Sequence, residues 1–175
     1  MKITALFSVV AFVCVFCSCS KDNSPGGVNT VVNNTDTMFM NNVAKGNNGE
    51  IMAGQLAATK GNLASVRSFG QFMVTEHSQA QNDLQNVATA INYKLPAGTA
   101  PEDSALMVQL NSLSGKAFDS VYMNAQVMDH QKTQTIFQNE IANGSQTNVK
   151  AYANTYLPHI QMHLSMADSI AKTIH

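Results

Sequence analysis

From Thr37 onward, apolar residues recur at steps of three and four and rarely alternate, a spacing that predicts helices rather than strands. The first helix is expected from about Thr37 to Lys60, capped by Thr35 or Asp36. Its stripe reads Phe39, Val43, Gly46, Glu50, Ala53, Ala57, so a carboxylate stands inside the apolar face. Small residues at Gly46, Ala53 and Ala57 would let a partner helix approach closely. Gly61 provides a stop and Asn62 a cap for a second helix from about Leu63 to Tyr93. Its stripe is Val66, Phe69, Met73, His77, Ala80, Leu84, Val87, Ile91. The segment Leu95-Pro-Ala-Gly-Thr-Ala-Pro101 breaks the pattern, and a short helix from about Glu102 to Leu113 fills part of the crossover. A third long helix, about Lys116 to Ala142, aligns Met123, Val127, His130, Phe137 and Ile141. The fourth, about Thr147 to Thr173, aligns Val149, Tyr152, Tyr156, His163, Met166 and Ile170, with a kink expected at Pro158.

Four such helices would each be roughly 36 to 46 Å long at about 1.5 Å per residue. With one apolar stripe apiece, they are most economically satisfied as an all-α, four-helix bundle with an extra helix in the crossover. That crossover, Lys94 to Ser114, is long enough to leave the second and third long helices parallel or antiparallel.

The candidate chemistry sits on these stripes. Glu50, His77, His130 and His163 each fall on the buried seam of a different helix. Side chains from four facing helices converge in a bundle core, and one carboxylate with three imidazoles suits zinc, iron, copper or nickel. The second and third long helices are related: aligning Val74 with Val127 superposes Glu76-His77 on Asp129-His130 and Leu84 on Phe137. Glu76 and Asp129 point about 100° away from their histidines, so they either orient a histidine on another helix or face water. The competing reading keeps the histidines neutral in a structural network with a carboxylate or with Tyr122, Tyr152 and Tyr156. His159 and His163 stand at i and i+4, but the zinc-protease glutamate is missing between them. No Ser–His–Asp pattern, phosphate loop or dinucleotide fingerprint assigns a catalytic role to any residue.

The ends of the chain bear on its address. Lys2 precedes an apolar run from Ile3 to Phe16, too short to span a bilayer and readable as a secretory signal. Ser18 before Cys19 resembles the lipobox of bacterial lipoproteins, with Phe16 and Cys17 as departures from the usual pattern. The expected organisation is a signal at 1–18, a lipid-anchored tether at 19–35 and a helical domain at 36–175, with Cys19 acylated and the membrane as partner. A plain secretory signal is the alternative. Cys14 and Cys17 leave with the signal, so the mature chain has no pair to oxidise. Ser20-Lys21-Asp22 resembles the short charged tag of lipoproteins shown on the outer membrane surface. The chain carries a net charge of −1, and its ten Lys and Arg residues form no cluster, which excludes a nucleic-acid partner.

Several of these segments together resemble the bacterial family known as domain of unknown function 4142, often labelled predicted outer membrane protein. They are the Glu50 region, Phe72-Met-Val-Thr-Glu-His77, Leu113 to Tyr122, Gln126-Val-Met-Asp-His130 and Leu157-Pro-His-Ile-Gln-Met-His163. The resemblance implies a ferritin-like bundle exported to the cell envelope and no established activity. Di-iron bundles of that fold use Glu-x-x-His, whereas Val74, Val127 and Ile160 stand three residues before the histidines here. Ferroxidase and iron storage are therefore not expected. Three functional classes follow: a metal-binding bundle of the envelope, a structural or protein-interaction module with no metal, and, with least support, an enzyme.

Overall fold

The computed structural model describes residues 31–174, which form α1 (Asn34–Lys60), α2 (Ala64–Ala90), α3 (Pro101–Ser112), α4 (Gly115–Asn143) and α5 (Thr147–Ala171). The signal, Cys19 and most of the tether lie outside the described residues. No helix among those described is long and apolar enough to cross a membrane.

α1 starts earlier than its stripe predicts. Asn33, rather than Thr35 or Asp36, is the cap: its side chain accepts from Asp36 N–H at 2.9 Å, and the Asp36 carboxylate accepts from Asn33 N–H at 2.7 Å. The last residues assigned to the tether thus form the cap and first turn of the bundle. α2 ends sooner than expected, because Asn92 takes a left-handed φ of 56° and Tyr93 N–H turns back to Ala88 O at 2.8 Å. α5 continues through Pro158 as one helix.

The long helices pack as a square in which α1 neighbours α2 and α4, and α5 neighbours the same two. α1–α2 and α4–α5 are hairpins, and the α3 crossover makes α2 parallel to α4 across the diagonal, which settles the connectivity. This is a ferritin-like four-helix bundle with one long crossover.

Two buried carboxylates lock the hairpins together. Asp36 on α1 accepts from Ser145 and Gln146 N–H in the α4–α5 turn, both at 3.0 Å. Asp119 on α4 accepts from Asn62 and Leu63 N–H in the α1–α2 turn, at 2.8 and 2.9 Å. Each hairpin thus supplies the acid that satisfies the other's turn. The expected Asn62 side-chain cap is replaced by Asp119, a partner 56 residues away in sequence from Leu63. Burial raises the Asp36 carboxyl, but hydrogen bonds from Asn33, Gln146 and Ser145 outweigh it and hold the group below its ordinary value.

The close approach of α1 and α2 involves the anticipated Ala57, whose Cβ would lie 2.9 Å from a Cβ on Gly70, and adds Gly54, which was not anticipated. A Cβ on Gly54 would lie 2.8 Å from Gly70 O, and one on Gly70 would lie 2.7 Å from Gly54 O. A Cβ on Gly46 would meet nothing within 4 Å. Of the anticipated stripe, Phe39, Val43, Ala53 and Ala57 are buried as expected and Gly46 and Glu50 only partly so, while Ala44, Asn47 and Gly54 widen the buried face.

The apolar interior is divided in two. Phe39, Met40, Leu84, Phe137, Val149 and Tyr152 lead one cluster, and Phe69, Met73, Leu110, Phe118, Tyr122 and Met123 lead the other. Between them lies a buried polar layer of Asn47, His77, Gln126, His130 and His163.

Asp119→Ala should destabilise the protein by about 1–2 kcal/mol, the usual cost of a lost helix N-terminal cap. Asp119→Asn, which keeps one acceptor oxygen, should recover part of that loss. Urea unfolding of the three proteins checks the order.

Candidate metal centre

His77 comes from α2, His130 from α4 and His163 from α5, with relative exposures of 4%, 2% and 2%. All three were anticipated on the seam, and the fold brings them together. Their ring centroids are 5.7 Å (His77–His130), 5.3 Å (His77–His163) and 5.3 Å (His130–His163) apart. Each offers one nitrogen such that the three lie within 4.8 Å of one another. Three imidazole nitrogens converging from different helices match the donor set of a transition-metal site.

Neighbouring groups fix which nitrogen is free. His77 Nδ1 lies 2.9 Å from Asn47 Oδ1, and Asn47 Nδ2 in turn donates to Gln81 Oε1 at 3.2 Å. That second bond orients the amide so that its oxygen faces the imidazole; His77 Nδ1–H is then the donor and Nε2 keeps its lone pair. His130 Nδ1 donates to Gln126 O at 2.9 Å, one helical turn back, which leaves its Nε2 as the lone-pair nitrogen too. His163 Nε2 is 3.6 Å from Glu76 Oε2, and neither of its nitrogens makes a hydrogen bond. His77 Nε2, His130 Nε2 and both nitrogens of His163 are buried without a hydrogen-bond partner.

Electrostatics keeps the rings neutral. Burial, then the neighbouring His130 and His163 rings, pushes His77 well below the ordinary histidine value. Burial lowers His130 to about 4 against the opposing pull of Gln126 O, and burial with His130 and His159 lowers His163 to about 3. A neutral imidazole is the form that ligates metal.

Glu50, the fourth anticipated ligand, is placed differently. Its Oε1 lies 3.9 Å from His130 Nδ1, the nitrogen turned toward Gln126 O, and its Oε2 accepts from Gln126 Nε2 at 2.6 Å. It borders the layer, 13% exposed, and does not belong to the convergent set. Burial pushes its carboxyl up to about 8 against the Gln126 hydrogen bond, with Asp129 and Asp103 adding to the rise. Glu76 does reach a neighbouring helix, accepting from His159 Nδ1 at 2.8 Å. His159 and His163 therefore share a carboxylate instead of chelating together. None of the three tyrosines bonds to a histidine of the layer: Tyr152 OH donates to Ala80 O and also pairs with Asn47, Tyr156 OH bonds to Asp83, and Tyr122 OH has no hydrogen-bond partner.

Sequence reasoning missed Asn47 and Gln126. Gln126 stands four residues before His130, and Asn47 four after Val43, so helical spacing alone puts both on buried faces.

Fold and layer together define a ferritin-like bundle whose core carries three converging histidines and lacks the paired Glu-x-x-His of di-iron proteins. The profile of the domain of unknown function DUF4142 matches residues 23–170, and the chain belongs to that family. No curated protein and no solved structure matches it.

The buried groups make stability depend on pH in two opposing ways. The three histidines, lowered on folding, contribute stability that is complete above about 6.5 and lost as pH falls toward their folded values. Glu50 and the buried Glu140, raised by burial first and each to about 8, oppose this: their penalty grows as pH rises from the ordinary carboxyl value toward 8. A double Glu50→Gln/Glu140→Gln variant should therefore lose stability more steeply than wild type between about pH 6.5 and 4.5. Denaturant unfolding across that range measures the two slopes; equal slopes would contradict the assignment.

Proposed function

We propose that this protein is a cell-envelope metal-binding bundle in which His77, His130 and His163 hold one transition-metal ion. The observation that carries this reading is the set of four buried ring nitrogens without hydrogen-bond partners on rings that burial keeps neutral. An unmet buried polar atom costs about 1–3 kcal/mol, so a purely structural layer would be better built from apolar residues. A metal bonded to one nitrogen of each ring removes most of that cost. Asn47 and the Gln126 carbonyl act as the outer acceptors that hold the tautomer, and Glu76 offers a carboxylate to His163. Zinc, copper, nickel and iron all suit imidazole donors.

The alternative, an interaction module without metal, predicts that the histidines are worth more to the apo fold than to any ligand. Chelator-treated protein titrated with zinc, copper, nickel and iron(II) separates the two by its melting temperature. A site on the folded state alone adds about 2.7 kcal/mol at a hundredfold excess over Kd. His163→Phe should abolish that gain while leaving the apo protein at least as stable as wild type, because it replaces two unpartnered nitrogens with apolar edge beside Phe72. A flat response to every metal, with an apo variant weakened by about 1–3 kcal/mol, would favour the structural module.

The envelope address rests on the apolar run Ile3 to Phe16, Ser18 and Cys19, together with a family resemblance to predicted outer membrane proteins. The membrane is then the partner of the lipid anchor, and the bundle works in the periplasm or at the cell surface. Mass spectrometry of protein from the native membrane should find an acylated Cys19 at the mature N-terminus. A mature chain starting elsewhere, or an unmodified Cys19, would remove the anchor.

A further inference from the structure

Far from the histidine layer in sequence, two acids meet where the chain enters the bundle. Asp36, in the first turn of α1, and Glu140, in the last turn of α4, are both fully buried, and their side chains hydrogen-bond to each other. The Asp36 oxygens are already taken. Oδ2 accepts from Asn33 N–H at 2.7 Å, and Oδ1 accepts from Ser145 and Gln146 N–H, both at 3.0 Å. Neither Glu140 oxygen accepts from an N–H or hydroxyl. Two ionised carboxylates are acceptors only, so they bond to each other solely through a proton. Asp36, with three backbone donors, is the stable anion. The proton therefore belongs on Glu140, whose O–H donates to Asp36. Gly144 makes room for the pair: its φ of −64° is open to any residue, yet a Cβ there would collide with the Glu140 carboxyl.

This pair underlies the hold on the segment that leads into α1. Ser145 Oγ donates to Val31 O at 2.8 Å, and Asn33 Nδ2 donates to Asn143 O at 3.0 Å. Residues 31–33 are thus fixed to the α4–α5 turn, with Asp36 as the charged centre of the contact. The charged groups acting on Glu140 are Asp36 from α1 and Lys150 from α5. Burial first, then the hydrogen bond and charge of Asp36, push its carboxyl up to about 8 against the pull of Lys150.

We propose that Asp36 and Glu140 share one buried proton, and that this proton latches the segment entering α1 onto the α4–α5 turn. When Glu140 gives the proton up to bulk water, two adjacent buried anions remain, and opening the contact hydrates and separates them. Glu140 titrates higher in the closed latch than at its ordinary value of 4.5, which it regains when open to water. Closure is therefore complete below that value and weakens as pH rises, by about tenfold in the opening equilibrium per pH unit, until the loss levels off near 8. The latch is tight in acid and loose in mild alkali, and it sets how firmly the chain before α1 is fixed to the bundle.

NMR of the full-length protein reads this proton directly. With carbon-13-labelled glutamate, the Glu140 carboxyl carbon should titrate with a midpoint of about 8, and the Ser145 and Gln146 amide protons that bond to Asp36 should follow the same midpoint. Protection of those two amides from hydrogen exchange, corrected for the intrinsic pH dependence of exchange, should fall at least about tenfold between about pH 6 and 8. Glu140→Gln keeps an uncharged donor toward Asp36. In that variant the amide titration should vanish and protection should hold within about twofold over the same range. A wild-type Glu140 carboxyl that titrates near 4.5 would overturn the shared proton, a result that needs no variant. Protection that falls equally in wild type and Glu140→Gln would overturn the latch.

Discussion

The constraint on which the rest of this bundle depends is the cost of carrying a polar layer through its apolar core. Asn47, His77, Gln126, His130 and His163 separate two hydrophobic clusters that would otherwise be continuous. The layer is satisfied at its rim, where Asn47 and the Gln126 carbonyl take the outward Nδ1–H groups of His77 and His130. It is unsatisfied further in, where one nitrogen from each histidine lies within 4.8 Å of the other two and no ring nitrogen there makes a hydrogen bond. Hydrogen bonds thus orient two of the three rings, His77 and His130, with their Nε2 atoms left unprotonated, while His163 makes none.

Holding three rings from three helices to such a geometry requires the helices to keep their axial register. The reciprocal carboxylate locks do this from both ends. Asp36 fixes the α4–α5 turn to the start of α1, and Asp119 fixes the α1–α2 turn to the start of α4. The histidine layer lies between these two anchors. Gly54 against Gly70 adds a third constraint, because two backbones in contact cannot slide without a clash. Stability and site geometry therefore share the same interactions.

Much of this was legible along the chain, and what was not has physical reasons. The seams of α2 and α5 are rich in large apolar residues, so helical spacing located His77 and His163 without error. His130 was found the same way, although its stripe is less regular. α1 is rich in Asn, Gly and Ala, which gives its buried face little contrast, so the stripe held at Phe39, Val43, Ala53 and Ala57 but missed at Gly46 and Glu50. That weak contrast placed Glu50 beside the three histidines as a candidate, left Asn47 unnoticed and gave Gly46 a packing role that Gly54 fills together with the anticipated Ala57. The carboxylate locks were invisible because they join residues more than fifty positions apart, where spacing rules have no reach. The direction of α4 relative to α2 was open for a similar reason: the crossover's length permits either, and tertiary packing decides.

The most direct test of the account is X-ray absorption of the zinc- or copper-loaded protein at the metal edge. The arrangement described here predicts a first shell containing three imidazole nitrogens at about 2.0–2.1 Å, with the outer-ring scattering that identifies histidine. His77→Ala should reduce the imidazole count by one. A first shell made mainly of carboxylate oxygens, or one unchanged by His77→Ala, would place the metal elsewhere and contradict the account.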